Sequence, residues 1–249
     1  MKDLDWKNLS FGYRPTDYNV RCYYRDGKWG EIEVCSDEYL KLHMAATCLH
    51  YGQEAFEGLK AYRCKDGKVR TFRVKDNAER LQSTCRGIMM PEVPTELFTE
   101  MVNKVVRLNQ EWIPTYESGA TLYIRPLLIG TSAQVGVHPA KEYLFMIFVT
   151  PVGPYFKGGF SSNPYVIIRD FDRSAPLGTG SIRWVATTPP VSLPTTWLTR
   201  RAMPASSILT PKKRNTWTSV VLPTSSASRT TPTSLRSRPL SSPLSPTAH

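Results

Sequence analysis

The chain has 249 residues, 41% apolar and 21% charged, which suits a soluble globular protein of one large or two modest domains. No run of about 18 apolar residues is present to cross a membrane, and Met1 to Trp6 lacks the apolar core of a secretory leader. The net charge of +11 is concentrated at one end. Residues 184–249 hold eight Lys or Arg and no acid, leaving 24 basic and all 21 acidic residues in 1–183, so the charge is no nucleic-acid signature of the folded part.

In chain order, Val20 to Val34 reads as a hairpin turning at Arg25-Asp26-Gly27-Lys28. A second hairpin joins Ala61–Arg63 to Val69–Val74 around Lys65-Asp66-Gly67-Lys68, because Asp-Gly between alternating apolar runs favours a tight turn. Asp76 and Glu79 have capping-box spacing and open a helix whose Leu81, Cys85 and Ile88 share one face. Pro94 to Trp112 is a second helix with a stripe of Leu97, Met101, Val105 and Leu108. Three strands follow, at Thr121–Ile129, Tyr143–Thr150 and Tyr165–Arg169. The unbroken apolar run Tyr143 to Val149 implies a strand covered on both faces.

Residues 184–249 are different in kind. They contain 13 Thr, 12 Ser and 10 Pro among 66 residues, and no Gly, Phe, Tyr, Asp or Glu. Such a segment buries too little apolar surface to offset its chain entropy, and its prolines oppose helix and central strand. It is expected to be disordered.

The five cysteines, Cys22, Cys35, Cys48, Cys64 and Cys85, form no CxxC pair. Reduced thiols and a cytoplasmic location are the simplest expectation. His43, His50 and His138 have no metal-ligand spacing, so no metal site is expected, and neither a GxGxxG nor a Walker motif occurs.

The chemistry-bearing segments come in a fixed order. Leu49-His50-Tyr51-Gly52-Gln53-Glu54-Ala55-Phe56-Glu57-Gly58-Leu59-Lys60-Ala61-Tyr62 is followed by Phe72 to Leu81, which contains Arg80. Leu122-Tyr123-Ile124-Arg125-Pro126, Gly136-Val137, Pro151 to Phe156, Arg173 and Gly178-Thr179-Gly180 then follow. Taken singly, Tyr51 and Phe56 read as core aromatics and Arg80 as a solvated helix arginine. Tyr123 and Arg125, at i and i+2, point to one face of a strand.

Together, from about Trp6 to Ile182, these segments resemble the branched-chain amino-acid aminotransferases, in their longer, eukaryote-like branch. The resemblance implies an α+β fold: the small α/β domain of a fold-type IV pyridoxal 5'-phosphate (PLP) enzyme over 1–157, and the linker and start of the PLP domain over 158–183. It implies that Tyr51, Phe56 and Tyr155 line an aliphatic substrate pocket, and that Arg80 and Arg173 lie at the PLP phosphate. Tyr123 and Arg125 stand on the substrate side, with Arg125 helping to accept 2-oxoglutarate. Val137 reaches into the partner's pocket of a homodimer. Leucine, isoleucine and valine are the implied amino donors.

The resemblance breaks at Arg183. The family places there the lysine of Lys-x-Gly-Gly-Asn-Tyr, whose amine holds PLP as a Schiff base; here Gly178-Thr179-Gly180-Ser181-Ile182 runs into Arg183-Trp184-Val185-Ala186-Thr187-Thr188. A one-base deletion accounts for the change. Written ATC AGG TGG GTG GCA ACT AC, residues 182–188 become Ile-Lys-Val-Gly-Gly-Asn-Tyr when a single A is restored. The same shift turns Asp, Asn, Tyr and His codons into Thr, which explains a tail without acids. It also lets Trp217 to Arg229 be back-read as Val-Asp-Glu-Cys-Gly-Ala-Ala-Asn-Phe-Phe-Gly-Ile-Lys, similar to the family segment whose Glu meets the PLP ring nitrogen.

Arginine, with a pKa above about 12, offers no free nucleophile, so the chain as written is expected to be inactive. The alternatives are a genuine Ser/Thr/Pro-rich linker, a non-catalytic remnant whose basic tail binds nucleic acid without specificity, and another fold-type IV enzyme such as a D-amino-acid aminotransferase or aminodeoxychorismate lyase. Phe56, Tyr123 and Arg125 favour the branched-chain type.

Overall fold

The computed structural model describes residues 2, 4–153, 166–168, 178–185, 206–209 and 217–221. Its centre is an eight-stranded antiparallel sheet of β1 (Asn19–Arg25), β2 (Lys28–Trp29), β3 (Glu33–Cys35), β4 (Glu54–Phe56), β5 (Leu59–Arg63), β6 (Val69–Thr71), β7 (Thr121–Gly130) and β8 (Tyr143–Val152). The order is β2-β1-β8-β7-β5-β6, with β3 also pairing β1 and β4 also pairing β7. The helices are α1 (Thr47–Tyr51), α2 (Val74–Gly87) and α3 (Thr95–Leu108). Among the described residues no helix is long and apolar enough to cross a membrane.

Both hairpins form. Asp26 and Gly27 take positive φ of 51° and 78°, the pair of left-handed residues that a two-residue turn between twisted strands requires. The first hairpin is not continuous. Tyr24 pairs with Trp29, but Arg21 pairs with Glu33, so one extra residue near Gly30–Ile32 bulges the returning strand.

The capping box does not form. Helix α2 begins two residues earlier than expected, at Val74, with Arg73 as a left-handed cap (φ 53°) and no side-chain cap bond. Asp76 sits inside the first turn, where its charge suits the positive helix end, and pairs with the Arg73 guanidinium. Helix α3 stops at Leu108 because the buried Asn109 side chain takes over the chain's hydrogen bonds. Its Nδ2 donates to the carbonyls of Val105 (2.8 Å) and Tyr18 (2.9 Å), and its Oδ1 accepts from Tyr18 N (3.1 Å). Gln110–Trp112 is a separate 3-10 turn.

One sheet face and the two long helices make the core. Val20, Cys22, Leu122, Ile124, Phe145, Ile147 and Val149 meet Ala78, Leu81 and Cys85 of α2 and Phe98, Met101, Val102 and Val105 of α3. The expected α3 stripe is therefore turned by about one residue: Phe98 takes the centre, while Leu97 and Leu108 flank it. Strand β8 is buried along its whole length except at Met146 and Phe148. The opposite face, carrying Tyr123 and Arg125, is left for the site.

Within the segment expected to lack regular structure, the described residues include two strands, β10 (Ser206–Leu209) and β11 (Trp217–Val221). They form a small sheet with β9 (Val166–Ile168), β10 running parallel to β9 and antiparallel to β11. These are the proline-free stretches where Ile208, Leu209, Val220 and Val221 bring residue types that favour strands.

Candidate functional site

The site lies where the β4–β5 turn, the middle of α2 and the outer face of β7 meet. Phe56 ends β4 and stands opposite Leu127 of β7, two residues from Arg125 and therefore on the same face. Arg125 lies over the Phe56 ring (4.8 Å to the centroid) and close to Tyr123, whose hydroxyl accepts a hydrogen bond from Arg125 Nε (3.1 Å). Tyr123 is buried, with Phe11 edge-on to it at 5.5 Å.

Arg80 enters from α2. Its Nε and Nη2 donate to the Glu57 carboxylate at 2.7 and 2.6 Å, and Asn77 Nδ2 adds a third bond at 2.8 Å. Glu57 is fully buried while Arg80 remains 40% exposed, at the edge of a cavity of about 480 Å³ that Arg73, Asp76, Ser83 and Arg86 also line. The bond to Glu57 makes Arg80 hold its proton even more firmly than usual, against an opposing effect of burial.

Arg183 closes the site. Its guanidinium lies 4.5 Å from the centroid of the same Phe56 ring. Burial lowers its affinity for its proton; Glu57 and Tyr123 oppose that, while Arg80 and Arg125 add to it. The backbone is fixed from α2: Arg183 N donates to Thr84 Oγ1 (3.1 Å), and Thr84 in turn donates to the Arg80 carbonyl (3.0 Å). A Cβ on Gly87 would collide with Ile182, so the glycine lets residues 182–183 lie against the helix. Trp184 bridges to Ala55 and donates its indole N–H to the Gly52 carbonyl.

Of the residues singled out in the sequence, Phe56, Arg80, Tyr123, Arg125 and Arg183 come together. Tyr51 and Val137 form a second group: the Tyr51 hydroxyl donates to the carbonyl of Val135, and Val135 and Val137 are 85% and 88% exposed on that loop. Arg173 and Tyr155 lie outside the described residues. Among the described residues no group of His, Cys, Asp or Glu could hold a metal ion.

Sequence reasoning missed Glu57, Asn77 and Lys60. The signal for Glu57 was a lone carboxylate inside the apolar run Ala55 to Leu59, since a buried charge demands a partner. Lys60 pairs directly with Tyr123 across β5 and β7, which puts it on the site face, and burial lowers the affinity of its amine for a proton.

No protein-family model matches the chain. It is 52% identical over 183 residues to the branched-chain-amino-acid aminotransferase of Haemophilus influenzae, covering 74% of this chain and 53% of that protein. The Escherichia coli branched-chain amino acid aminotransferase has a similar fold, with a TM-score of 0.61 at 20% identity over 79% of this chain and 60% of that one. The branched-chain amino acid aminotransferase of Thermobaculum terrenum, solved in its PLP form, gives 0.60 at 16% identity over 80% and 60%. The chain spans about half the length of the curated relatives it matches.

Proposed function

We propose that the chain belongs to the branched-chain-amino-acid aminotransferase family, and that its uninterrupted reading frame encodes a PLP-dependent transaminase, whereas the 249-residue chain as written is catalytically silent. The intact enzyme takes leucine, isoleucine or valine as amino donor and 2-oxoglutarate as acceptor. The exposed Val135 and Val137 support a homodimer, and five unpaired cysteines support a reducing, cytoplasmic location.

The side chains present fit only one end of the cofactor. Its anionic end fits: Arg80 offers a forked, permanently charged donor at the edge of a cavity. Its carbonyl end does not fit, because the side chain beside Phe56 at position 183 is a guanidinium, which stays protonated and cannot condense with an aldehyde. When bound, PLP supplies an electron sink for charge developing at the substrate Cα.

The chain's own residues supply recognition. Phe56 and Tyr123 give a rigid aromatic wall suited to an aliphatic side chain. Arg125, oriented by the Tyr123 hydroxyl, is placed to pair with a carboxylate. Arg183 adds a second cation over the ring that forms this wall, in space suited to an apolar substrate.

The observation that carries the proposal is this guanidinium over the Phe56 ring, on a residue whose backbone N–H is held by Thr84 at the point where the family motif ends. Two proteins test it: the 249-residue chain and the product of the same DNA with one base restored at codon 183. The restored protein is expected to show the absorbance near about 410–430 nm of PLP held by lysine, and to form glutamate from leucine and 2-oxoglutarate. The 249-residue chain is expected to show neither, a loss on the order of 10³-fold or more. Leucine turnover by the 249-residue chain, or stop codons in the restored frame, overturns the proposal.

A further inference from the structure

Glu57 is a buried carboxylate to which the expected chemistry assigns no task. Both of its oxygens accept hydrogen bonds. Oε1 accepts Arg80 Nε at 2.7 Å; Oε2 accepts Arg80 Nη2 at 2.6 Å, Asn77 Nδ2 at 2.8 Å and Gly58 N at 3.3 Å. Its own backbone N–H donates to the Pro126 carbonyl at 2.9 Å, tying the turn to β7 one residue from Arg125. A carboxylate anchored at both ends fixes the plane of the guanidinium it holds as well as its position.

The side of Arg80 that Glu57 takes is as informative as the contact itself. Glu57 occupies the Nε/Nη2 edge of the fork. The Nη1 end takes no protein acceptor among the described residues, and the side chain borders the cavity lined by Arg73, Asp76, Ser83 and Arg86. One edge is spent on a buried partner so that the other is presented in a single orientation. Preorganised donors of this kind bind a trigonal or tetrahedral anion without first losing rotamer freedom.

We propose that Glu57, supported by Asn77, is a positioning residue that locks Arg80 with its free edge toward the cavity, and that it strengthens binding of a phosphate group there although its own charge repels one. The inference rests on the reading of Arg80 as the phosphate-holding residue. Charge and positioning make opposite forecasts for Glu57→Gln. If only charge matters, removing the carboxylate tightens phosphate binding. If positioning matters, the amide cannot accept from both Arg80 donors while its own NH₂ faces one of them, the fork opens, and binding weakens.

The test uses the 249-residue chain, inorganic phosphate as probe, and the ¹H–¹⁵Nε resonance of Arg80 as a second readout. Wild type is expected to show a slowly exchanging Nε–H that shifts on phosphate addition. In Glu57→Gln that Nε–H is expected to exchange too fast to detect, with the phosphate dissociation constant raised at least about tenfold. Unchanged or tighter phosphate binding by Glu57→Gln overturns the proposal. If wild type binds no phosphate, the Arg80 reading fails, and the resonance alone then decides whether Glu57 locks the guanidinium: a slow Nε–H persisting in Glu57→Gln refutes it. Should that variant not fold, Asn77→Ser keeps the charge and removes one support. Accelerated Nε–H exchange there supports the proposal, and an unaltered rate overturns it.

Discussion

From Asn19 to Val152 the chain alternates and repeats its apolar residues so that β1, β7, β8, α2 and α3 contribute to one core, while the stretch from Trp184 onward is 66 residues without a single acid, glycine, phenylalanine or tyrosine. The first region closes its edges with charge pairs and buried polar ties such as Asn109. The second shows described strands only where Ile208, Leu209, Val220 and Val221 cluster. Amphipathic period and charge balance belong to a reading frame rather than to the nucleotides beneath it. The proposed shift by one base would erase both at once, and the place where they stop is where it would lie. That place coincides with Arg183, the residue on which the proposed loss of activity rests. The local fold continues past this point: Trp184 reaches the Gly52 carbonyl, and the Arg183 backbone N–H donates to Thr84.

The contrast is broken or sharpened most strongly in the core. Phe98 is fully buried and stacks on Phe145 at 5.8 Å. Phe98→Ala is expected to destabilise the chain by about 3–5 kcal/mol, combining lost transfer energy with a residual cavity. Urea denaturation of the two proteins measures it. A loss below about 1 kcal/mol would mean that the first region is as loosely packed as the composition of the second leads one to expect.

Much of this first region could be read from sequence because its signals are local. Asp26-Gly27 foretells a turn, the spacing of Leu81 and Cys85 a helix face, and the run from Tyr143 to Val149 a covered strand. Boundaries were less legible where long-range bonds decide them. Asn109 ends α3 by bonding to Tyr18, 91 residues away in sequence, and no window of residues around Trp112 contains that information. The site was half legible. Phe56, Arg80, Tyr123 and Arg125 lie in short motifs, but Glu57 owes its importance to partners on α2 and Lys60 to its partner on β7. Composition over 66 residues speaks for disorder, and the described strands at Ser206–Leu209 and Trp217–Val221 fall on its two short apolar clusters.

A second, smaller difference between the regions lies in titration. Burial pushes the Cys85 thiol up to about 12 and the Tyr143 hydroxyl up to about 12, whereas residues 184–249 contain no cysteine or tyrosine. The folded chain therefore favours the neutral forms. This stability is fully present below the unfolded pKa values near about 8.5 and 10, and is lost as pH rises toward about 12, since the unfolded chain then binds fewer protons. Across this window Cys85 contributes a decline of up to about 1.4 kcal/mol per pH unit. Urea midpoints between about pH 8 and 11 are expected to fall, and Cys85→Ala is expected to flatten the slope. An unchanged slope in that variant would show that the thiol titrates alike in both states.

The smallest effect is expected at the far end of the chain. Residues 222–249 carry three arginines, no acid and, apart from four leucines, no large apolar side chain, so their removal deletes little surface that could be buried and much chain entropy that opposes folding. Ending the chain after Val221 keeps β11 and its pairing with β10. The change in unfolding free energy is expected to stay within about 0.5 kcal/mol, the range of substitutions that touch no core feature. Denaturation curves with the same midpoint and nearly the same slope would bear this out, because the slope follows the surface exposed on unfolding. A midpoint lowered by more than about 1 kcal/mol equivalent would show that this segment contributes contacts to the folded body, and the division into two kinds of chain at residue 183 would then be chemical but not structural.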